Sequence, residues 1–257
     1  MILAIDIGNT NSCFALFKGE ECLGQWRLST NRLRTADEFV LWLENFFARQ
    51  KVSPTDIEQS IVACVVPSCR FPILKAVEEL VEKEALFVTA DLMENVGVTV
   101  KTDSPHEVGA DRVINAYSAY QKYKQATIVL DFGTATTFDV ANDKGAYIGG
   151  VIAPGINLSL EALQRAAAML PSVEITHPAK AIGTSTESAM QAGIYFGYLG
   201  LIERIVKEIK AELGTPAKVI ATGGLARLFE KNSDAIDALD ADLTMRGLYQ
   251  VAKKFAE

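Results

Sequence analysis

Two short stretches of the chain carry residue types suited to holding phosphate. Asp6-Ile7-Gly8-Asn9-Thr10-Asn11 closes an apolar, β-prone run over residues 2–7. A glycine at a strand-to-strand turn lets backbone N–H groups approach a ligand closely. Asn9, Thr10 and Asn11 add side-chain donors, and an aspartate at the strand end, beside a phosphate, can hold Mg²⁺ directly or through water. Asp131-Phe132-Gly133-Thr134-Ala135-Thr136-Thr137 repeats the pattern after the apolar run 126–130. Taken alone, either stretch also fits the turn of a plain β-hairpin. The two lie 125 residues apart in a chain of 257, and recurrence at half length predicts a duplicated domain. Two such turns facing one another across a cleft would clamp a polyphosphate between glycine backbones. The chemistry expected is transfer of the γ-phosphate of ATP to a small molecule.

Other motifs fit the same chemistry and also have plainer readings. Thr222-Gly223-Gly224-Leu225 follows a predicted strand and opens a helix; its glycines would let a flat ligand such as adenine lie on the backbone, or serve only as a tight turn. It is neither a Walker loop nor a dinucleotide fingerprint. Gly109-Ala110-Asp111-Arg112 sits at a predicted helix start. A carboxylate there could orient or deprotonate an acceptor hydroxyl, and the arginine could take a carboxylate or phosphate bidentately. Asp in a first helical turn is equally explained by the helix dipole. Ile182-Gly183-Thr184-Ser185-Thr186 could bind an anionic or hydroxylated ligand, or only cap the helix that follows. Gly149 to Gly155 is read as cleft wall, and His106 as a loop residue.

The elements that must position these residues follow from periodicity. Strands are expected at 2–7, 12–18, 22–28, 61–66 and 85–89, and again at 126–130, 135–141, 146–152 and 218–221. Thr35–Gln50 has Phe39, Leu43, Phe46 and Phe47 at helical spacing, with Thr35 and Glu38 as a capping box. Helices are further expected from Ser68 or Cys69 to Lys83, over 110–123, 156–168, 187–213, 225–231 and 245–256, and Thr184 with Glu187 reads as a second capping box. Residues 91–108 read as irregular. The halves are divided as 1–118 and 119–257.

Composition limits the alternatives. A net charge of −7 argues against general binding of nucleic acid or anionic membranes. Cys13, Cys22, Cys64 and Cys69 have no C-x-x-C spacing, and with only two histidines a zinc site is not expected. Reduced thiols, no signal-peptide pattern and no apolar run near the ~20 residues of a membrane span point to the cytoplasm.

These motifs, in this order over nearly the whole chain, resemble the type III pantothenate kinases, members of the acetate-kinase, sugar-kinase, Hsp70 and actin superfamily. The resemblance implies an α/β fold of duplicated ribonuclease-H-like (actin-like ATPase) domains, each a mixed five-stranded sheet flanked by helices, with dimerisation helices in the second half. It implies ATP-dependent phosphorylation of pantothenate to 4′-phosphopantothenate, the first step of coenzyme A biosynthesis. Asp6, Ile7, Gly8, Asn9, Thr10, Asn11, Ser12 and Cys13 would line the ATP phosphates, with Thr134 and Gly223 also on ATP and Asp6 a candidate for Mg²⁺. Asp111 would be the general base. Gly109, Ala110, Asp111 and Arg112 would hold pantothenate, with Arg112 on its carboxylate. Asp131 would bind the monovalent cation, K⁺ or NH₄⁺. Thr186 would reach the substrate from the second subunit of a homodimer whose active site lies at the subunit interface.

One departure concerns the substrate pocket: Thr102 stands where the family often carries an aromatic residue before the Pro105 turn. Two other functions remain open on sequence grounds. One is another small-molecule kinase of the superfamily. The other is an ATP-binding regulator of the same fold, although no basic DNA-binding segment and no appended peptide-binding domain accompany it.

Overall fold

The computed structural model describes residues 1–166 and 170–256. The chain divides into two compact units, one of Met1–Ser118 with the chain from Asp242 onward and one of Ala119–Ala241.

The first unit is built on a sheet of strand order β3-β2-β1-β4-β5. β1 (Ile2–Ile7), β2 (Asn11–Lys18) and β3 (Glu21–Ser29) form an antiparallel meander, while β4 (Gln59–Cys64) and β5 (Leu86–Phe87) run parallel to β1. β1 is an almost continuous apolar run, buried from Ile2 to Ile5, as expected of a central strand covered on both faces. α1 (Ala36–Gln50) starts at the predicted capping box: the Thr35 side chain accepts from the Glu38 N–H, and the Glu38 carboxylate accepts from the Thr35 N–H at 2.8 Å. Its stripe of Phe39, Leu43, Phe46 and Phe47 is buried and joins the core with Leu3, Ile5, Phe14 and Ile73. Leu43 is fully buried, so Leu43→Ala would cost about 2–5 kcal/mol. α2 (Pro67–Val81) packs beside α1 and begins with Pro67, whose missing N–H costs nothing at a first helical position.

Between β5 and the next long helix, the stretch read as irregular contains a short helix, α3 (Ala90–Asn95), capped by Thr89, and a 3-10 turn at Pro105–Glu107. α4 (Ala110–Tyr123) has the predicted bounds.

The second unit repeats the topology. Its sheet has the order β8-β7-β6-β9-β10, with β6 (Thr127–Phe132), β7 (Ala135–Ala141) and β8 (Tyr147–Pro154) antiparallel, and β9 (Lys218–Gly223) and β10 (Ala238–Leu239) parallel. α5 (Ile156–Ala166) follows β8; the predicted extension to residue 168 lies outside the described residues. α6 (Thr186–Leu213) crosses the unit and buries Tyr195, Tyr198, Ile202 and Val206 in a core with Ile128, Leu130, Phe138 and Phe229. Its cap is Ser185 with Ser188, not Thr184 with Glu187. Three hydroxyl residues in a row each suit a cap. Gly183 packs on the backbone of Ala189, where an added Cβ would lie 2.2 Å from the amide nitrogen, and so sets the turn one residue later. α7 (Ala226–Glu230) follows β9.

The closing helix α8 (Leu243–Ala256) lies against β1, β4 and β2, so it belongs to the first unit, whereas the sequence reading runs the second half to residue 257. The cause is an apolar face: Leu243, Leu248 and Val251 are fully buried, and Tyr249 stacks on Phe17. Gly247 admits α4 to close range, since a Cβ there would come 2.8 Å from Ile114 Cγ2. Thr244 also donates to Asn115 Oδ1 at 2.7 Å.

Candidate active site

In the first unit, β1 and β2 pair with Asp6 opposite Cys13 and Ile7 opposite Ser12. The connection Gly8–Asn11 closes through the Gly8 N–H donating to the Asn11 carbonyl at 3.0 Å. Asn9, Thr10 and Asn11 are exposed at this tip, whereas Ser12 is buried and Cys13 half-buried. β4 ends alongside: the Val65 N–H donates to the Ile7 carbonyl at 3.0 Å. Burial pushes the Cys64 thiol up to about 11, and the thiol donates to the Val66 carbonyl at 3.1 Å. A thiol raised this way is a weak nucleophile, which fits a packing role for Cys64.

The turn rests on a residue that the sequence reading passed over. Thr30, at the end of β3, donates through its hydroxyl to the Gly8 carbonyl at 2.7 Å and lies 2.9 Å from the Ser12 hydroxyl; its N–H donates to the Thr10 carbonyl at 2.9 Å. Only its β-region neighbourhood could have been read from sequence, because its partners lie far back along the chain.

In the second unit the equivalent hairpin has Asp131 opposite Thr137 and Phe132 opposite Thr136. The turn is one residue shorter and closes through the Gly133 N–H to the Ala135 carbonyl at 3.0 Å. Thr134 is exposed at the tip. Gly155 braces the turn from below: its N–H donates to the Thr134 carbonyl at 3.1 Å, and a Cβ on it would lie 2.2 Å from that oxygen. Tyr198 ties the base of the hairpin, with its hydroxyl 2.8 Å from Thr136 Oγ1 and donating to the Pro154 carbonyl.

Gly223 ends β9 with φ +90°, a conformation side chains resist. A Cβ there would stand 2.6 Å from Asp131 Oδ1 and 2.7 Å from the Phe132 carbonyl oxygen. The Phe132 amide nitrogen is as near, at 2.7 Å, so the missing side chain lets the end of β9 pack directly on Asp131 and the Phe132 backbone.

The motif at residues 109–112 forms the start of α4, in the first unit. The Gly109 carbonyl accepts from the N–H groups of Arg112 and Val113 at 3.1 and 3.3 Å. Asp111 folds back so that Oδ1 accepts from the Arg112 N–H at 2.8 Å, and a Cβ on Gly109 would lie 2.6 Å from that oxygen. Removal from water raises the Asp111 pKa above its ordinary value; the Arg112 N–H and the Arg112 charge oppose this without cancelling it. A carboxylate moved toward neutral pH and held on a helix start is suited to accept a proton from a hydroxyl. Thr102 is half-buried, and its hydroxyl oxygen is buried with no hydrogen-bond partner among the described residues.

Thr186 is the first residue of α6 and is exposed. Of the histidines, His106 is exposed in the 3-10 turn and His177 lies edge-on to the Tyr195 ring. Among the described residues no cluster of three or more His, Cys, Asp or Glu could hold a metal, and no helix is long and apolar enough to cross a membrane.

Two sheets of the same strand order, each with an Asp-x-Gly hairpin turn, define the class: duplicated ribonuclease-H-like domains of the actin-like ATPase kind. Solved structures share this fold along the whole chain. They include a Campylobacter jejuni protein assigned to the Baf family of transcriptional activators (TM-score 0.62, 20% identity, 98% of each chain). Another is component A of the (R)-2-hydroxyglutaryl-CoA dehydratase of Acidaminococcus fermentans (TM-score 0.53, 13% identity, 100% of this chain and 99% of that one). A ROK hexokinase from Thermus thermophilus matches with TM-score 0.51 at 15% identity over 99% and 98% of the two chains.

Within that class, the family model for type III pantothenate kinase matches residues 2–208. Proteins of that name from Paramagnetospirillum magneticum and Rhodospirillum rubrum are 49% and 47% identical, each over 99% of this chain and over 97% and 98% of their own lengths. The chain belongs to the type III pantothenate kinase family.

Proposed function

We infer that this protein transfers the γ-phosphate of ATP to the hydroxyl of pantothenate, giving 4′-phosphopantothenate, the first step of coenzyme A biosynthesis. The observation that carries the reading is Asp111: its carboxylate is fixed by the Arg112 N–H at 2.8 Å, and its pKa is raised by burial, within the motif Gly109–Arg112. Asp111 accepts the proton of the acceptor hydroxyl as that oxygen bonds to the γ-phosphorus and ADP leaves with the bridging oxygen and its electron pair. Gly109, Ala110 and Arg112 hold pantothenate, with the Arg112 guanidinium on its carboxylate.

Residues Asp6 to Cys13, with Thr134 and Gly223, line the ATP site. Asp6, at the end of β1, is the ligand proposed for Mg²⁺. A single carboxylate fits that ion, which keeps several waters and is otherwise held by substrate phosphates. When bound, Mg²⁺ offsets charge on the polyphosphate. Asp131, near the end of β6, is the ligand proposed for a monovalent cation, K⁺ or NH₄⁺.

The active unit is a homodimer in the cytoplasm, with Thr186 reaching the substrate of the partner copy. The second unit exposes the apolar side chains of Ile152 (63%) and Ile182 (82%), which a partner copy would cover.

The test is ADP release from ATP, Mg²⁺ and K⁺ with a panel of acceptors. Pantothenate should stimulate release well above sugars and short hydroxy acids. No stimulation by pantothenate would end the substrate assignment, and stimulation by a sugar instead would make the protein another kinase of its class.

A further inference from the structure

The first glycine turn is flanked by a loop that no part of the phosphate motif includes. It joins β3 to α1 over residues 30–35, and its sequence, Thr-Asn-Arg-Leu-Arg-Thr, carries two arginines. The loop is tied to the turn at its base by Thr30: hydroxyl to the Gly8 carbonyl at 2.7 Å, and N–H to the Thr10 carbonyl at 2.9 Å. It then folds on itself, since Asn31 Oδ1 accepts from the Leu33 N–H at 3.0 Å and the Asn31 carbonyl accepts from the Arg34 N–H at 3.1 Å. The Asn31 carbonyl also takes the Cys69 thiol from α2 at 3.6 Å. This is a shaped loop with fixed ends.

Its two arginines go different ways. Arg34 turns inward, with its guanidinium over the Phe39 ring at 5.4 Å. Arg32 is exposed and extends to the turn itself, where Nη2 donates to Asn9 Oδ1 at 3.4 Å. The long bond to a neutral amide uses one of five guanidinium donors. The charge therefore stands at the tip of a turn whose exposed residues are the neutral Asn9, Thr10 and Asn11, with most of its hydrogen-bonding capacity directed to solvent. A polyphosphate carries several negative charges, and guanidinium is the side chain that binds phosphate oxygens bidentately.

We propose that Arg32 binds the phosphates of the nucleotide at the first glycine turn, and that Thr30 is the positioning residue that holds the loop in place for it. The proposal rests on the reading of the Gly8 turn as part of the ATP site. Arg32 thereby supplies a protein cation to a turn that otherwise offers only amides and neutral side chains beside the Asp6 carboxylate.

The experiment is titration of the full chain with ATP in the presence of Mg²⁺, alongside steady-state kinetics with each substrate. Arg32→Gln should weaken ATP binding about tenfold, the low end for loss of a charge-assisted hydrogen bond at an exposed position. The KM for pantothenate should stay put, and the deficit should narrow as salt is raised. Arg32→Lys should recover part of the affinity. Thr30→Ala should also weaken ATP binding, and Thr30→Ser, which keeps the hydroxyl, should restore it. Gly8→Val is the control for the underlying reading. If it abolishes ATP binding while Arg32→Gln binds as the wild type does, Arg32 makes no phosphate contact and the proposal fails alone. If Gly8→Val binds ATP normally, the ATP site is elsewhere and both fall. An Arg32→Gln variant that loses turnover and both substrate affinities alike would place the arginine in folding, and would also overturn the proposal.

Discussion

The two units repeat one plan and differ where the chemistry is. Both sheets have the same strand order, and both hairpins place an aspartate at the end of the central strand, with a glycine two residues on. They part at the end of the fourth strand. In the first unit Cys64 occupies that end, half-buried, with burial pushing its thiol up to about 11. In the second, Gly223 at φ +90° stands there, and the absent side chain lets the strand end pack directly on Asp131 Oδ1 and the Phe132 backbone. The proposed acid–base residue Asp111 lies on α4, near the end of the first unit's leading segment Met1–Ser118. Duplication thus supplied the glycine turns twice, and the proposed specialised groups differ between the units, a carboxylate base in one and a cation ligand in the other.

That division can be broken at each point. The largest effect is expected from Asp111→Asn, which should lower kcat by about 10²–10⁴-fold, the range for loss of a general base, with ATP affinity kept. Loss of both in proportion would make Asp111 a fold residue. Next, Gly223→Ala places a methyl against Asp131 and strains the backbone. Stability should fall by about 1–3 kcal/mol, and stimulation by K⁺ should be lost, as read by thermal unfolding and a KCl titration of rate. The equivalent change in the first unit, Cys64→Ala, should leave the K⁺ response intact. Gly109→Ala should push on the Asp111 carboxylate and reduce kcat without changing the KM for ATP. The smallest effect is Tyr198→Phe, which removes one hydroxyl from Thr136 and the Pro154 carbonyl. It should cost about 1 kcal/mol and lower Tm by about 2–4 °C.

Much of this plan was legible in the sequence because it rests on local pattern. The stripe of Phe39, Leu43, Phe46 and Phe47, the Thr35–Glu38 box and the bounds of α4 all follow from spacings of three and four. The recurrence of Asp-x-Gly after an apolar run gave the duplication. What escaped depends on contacts distant in sequence or on weak signals. β10 is two residues long and exists because β9 offers an edge. α8 joins the first unit through its apolar face, a choice that periodicity does not encode. The cap of α6 was decided by the packing of Gly183, among three hydroxyl residues equally fit for it. Thr30 was passed over because its bonds to Gly8 and Ser12 span 22 and 18 residues. In the site, residue types were readable, whereas the close packing at Gly223 and the folding back of Asp111 are visible only in three dimensions.

The raised pKa of Asp111 has a consequence for stability as well as for rate. The folded state holds this proton more tightly than the unfolded chain does, so ionising the buried carboxylate costs stability as pH rises through the folded pKa. Asp111→Asn should therefore melt higher than the wild type at neutral pH, and the gain should vanish at acid pH, where both carry a neutral side chain.

The most direct test of Asp111 as the base is the pH dependence of kcat at saturating ATP and pantothenate, wild type beside Asp111→Asn. The wild type should lose activity toward acid pH along a limb that lies above the ordinary carboxylate range, as Asp111 takes up its proton, and the residual activity of Asp111→Asn should lack that limb. An acid limb of the same position and steepness in both proteins would show that another group accepts the proton.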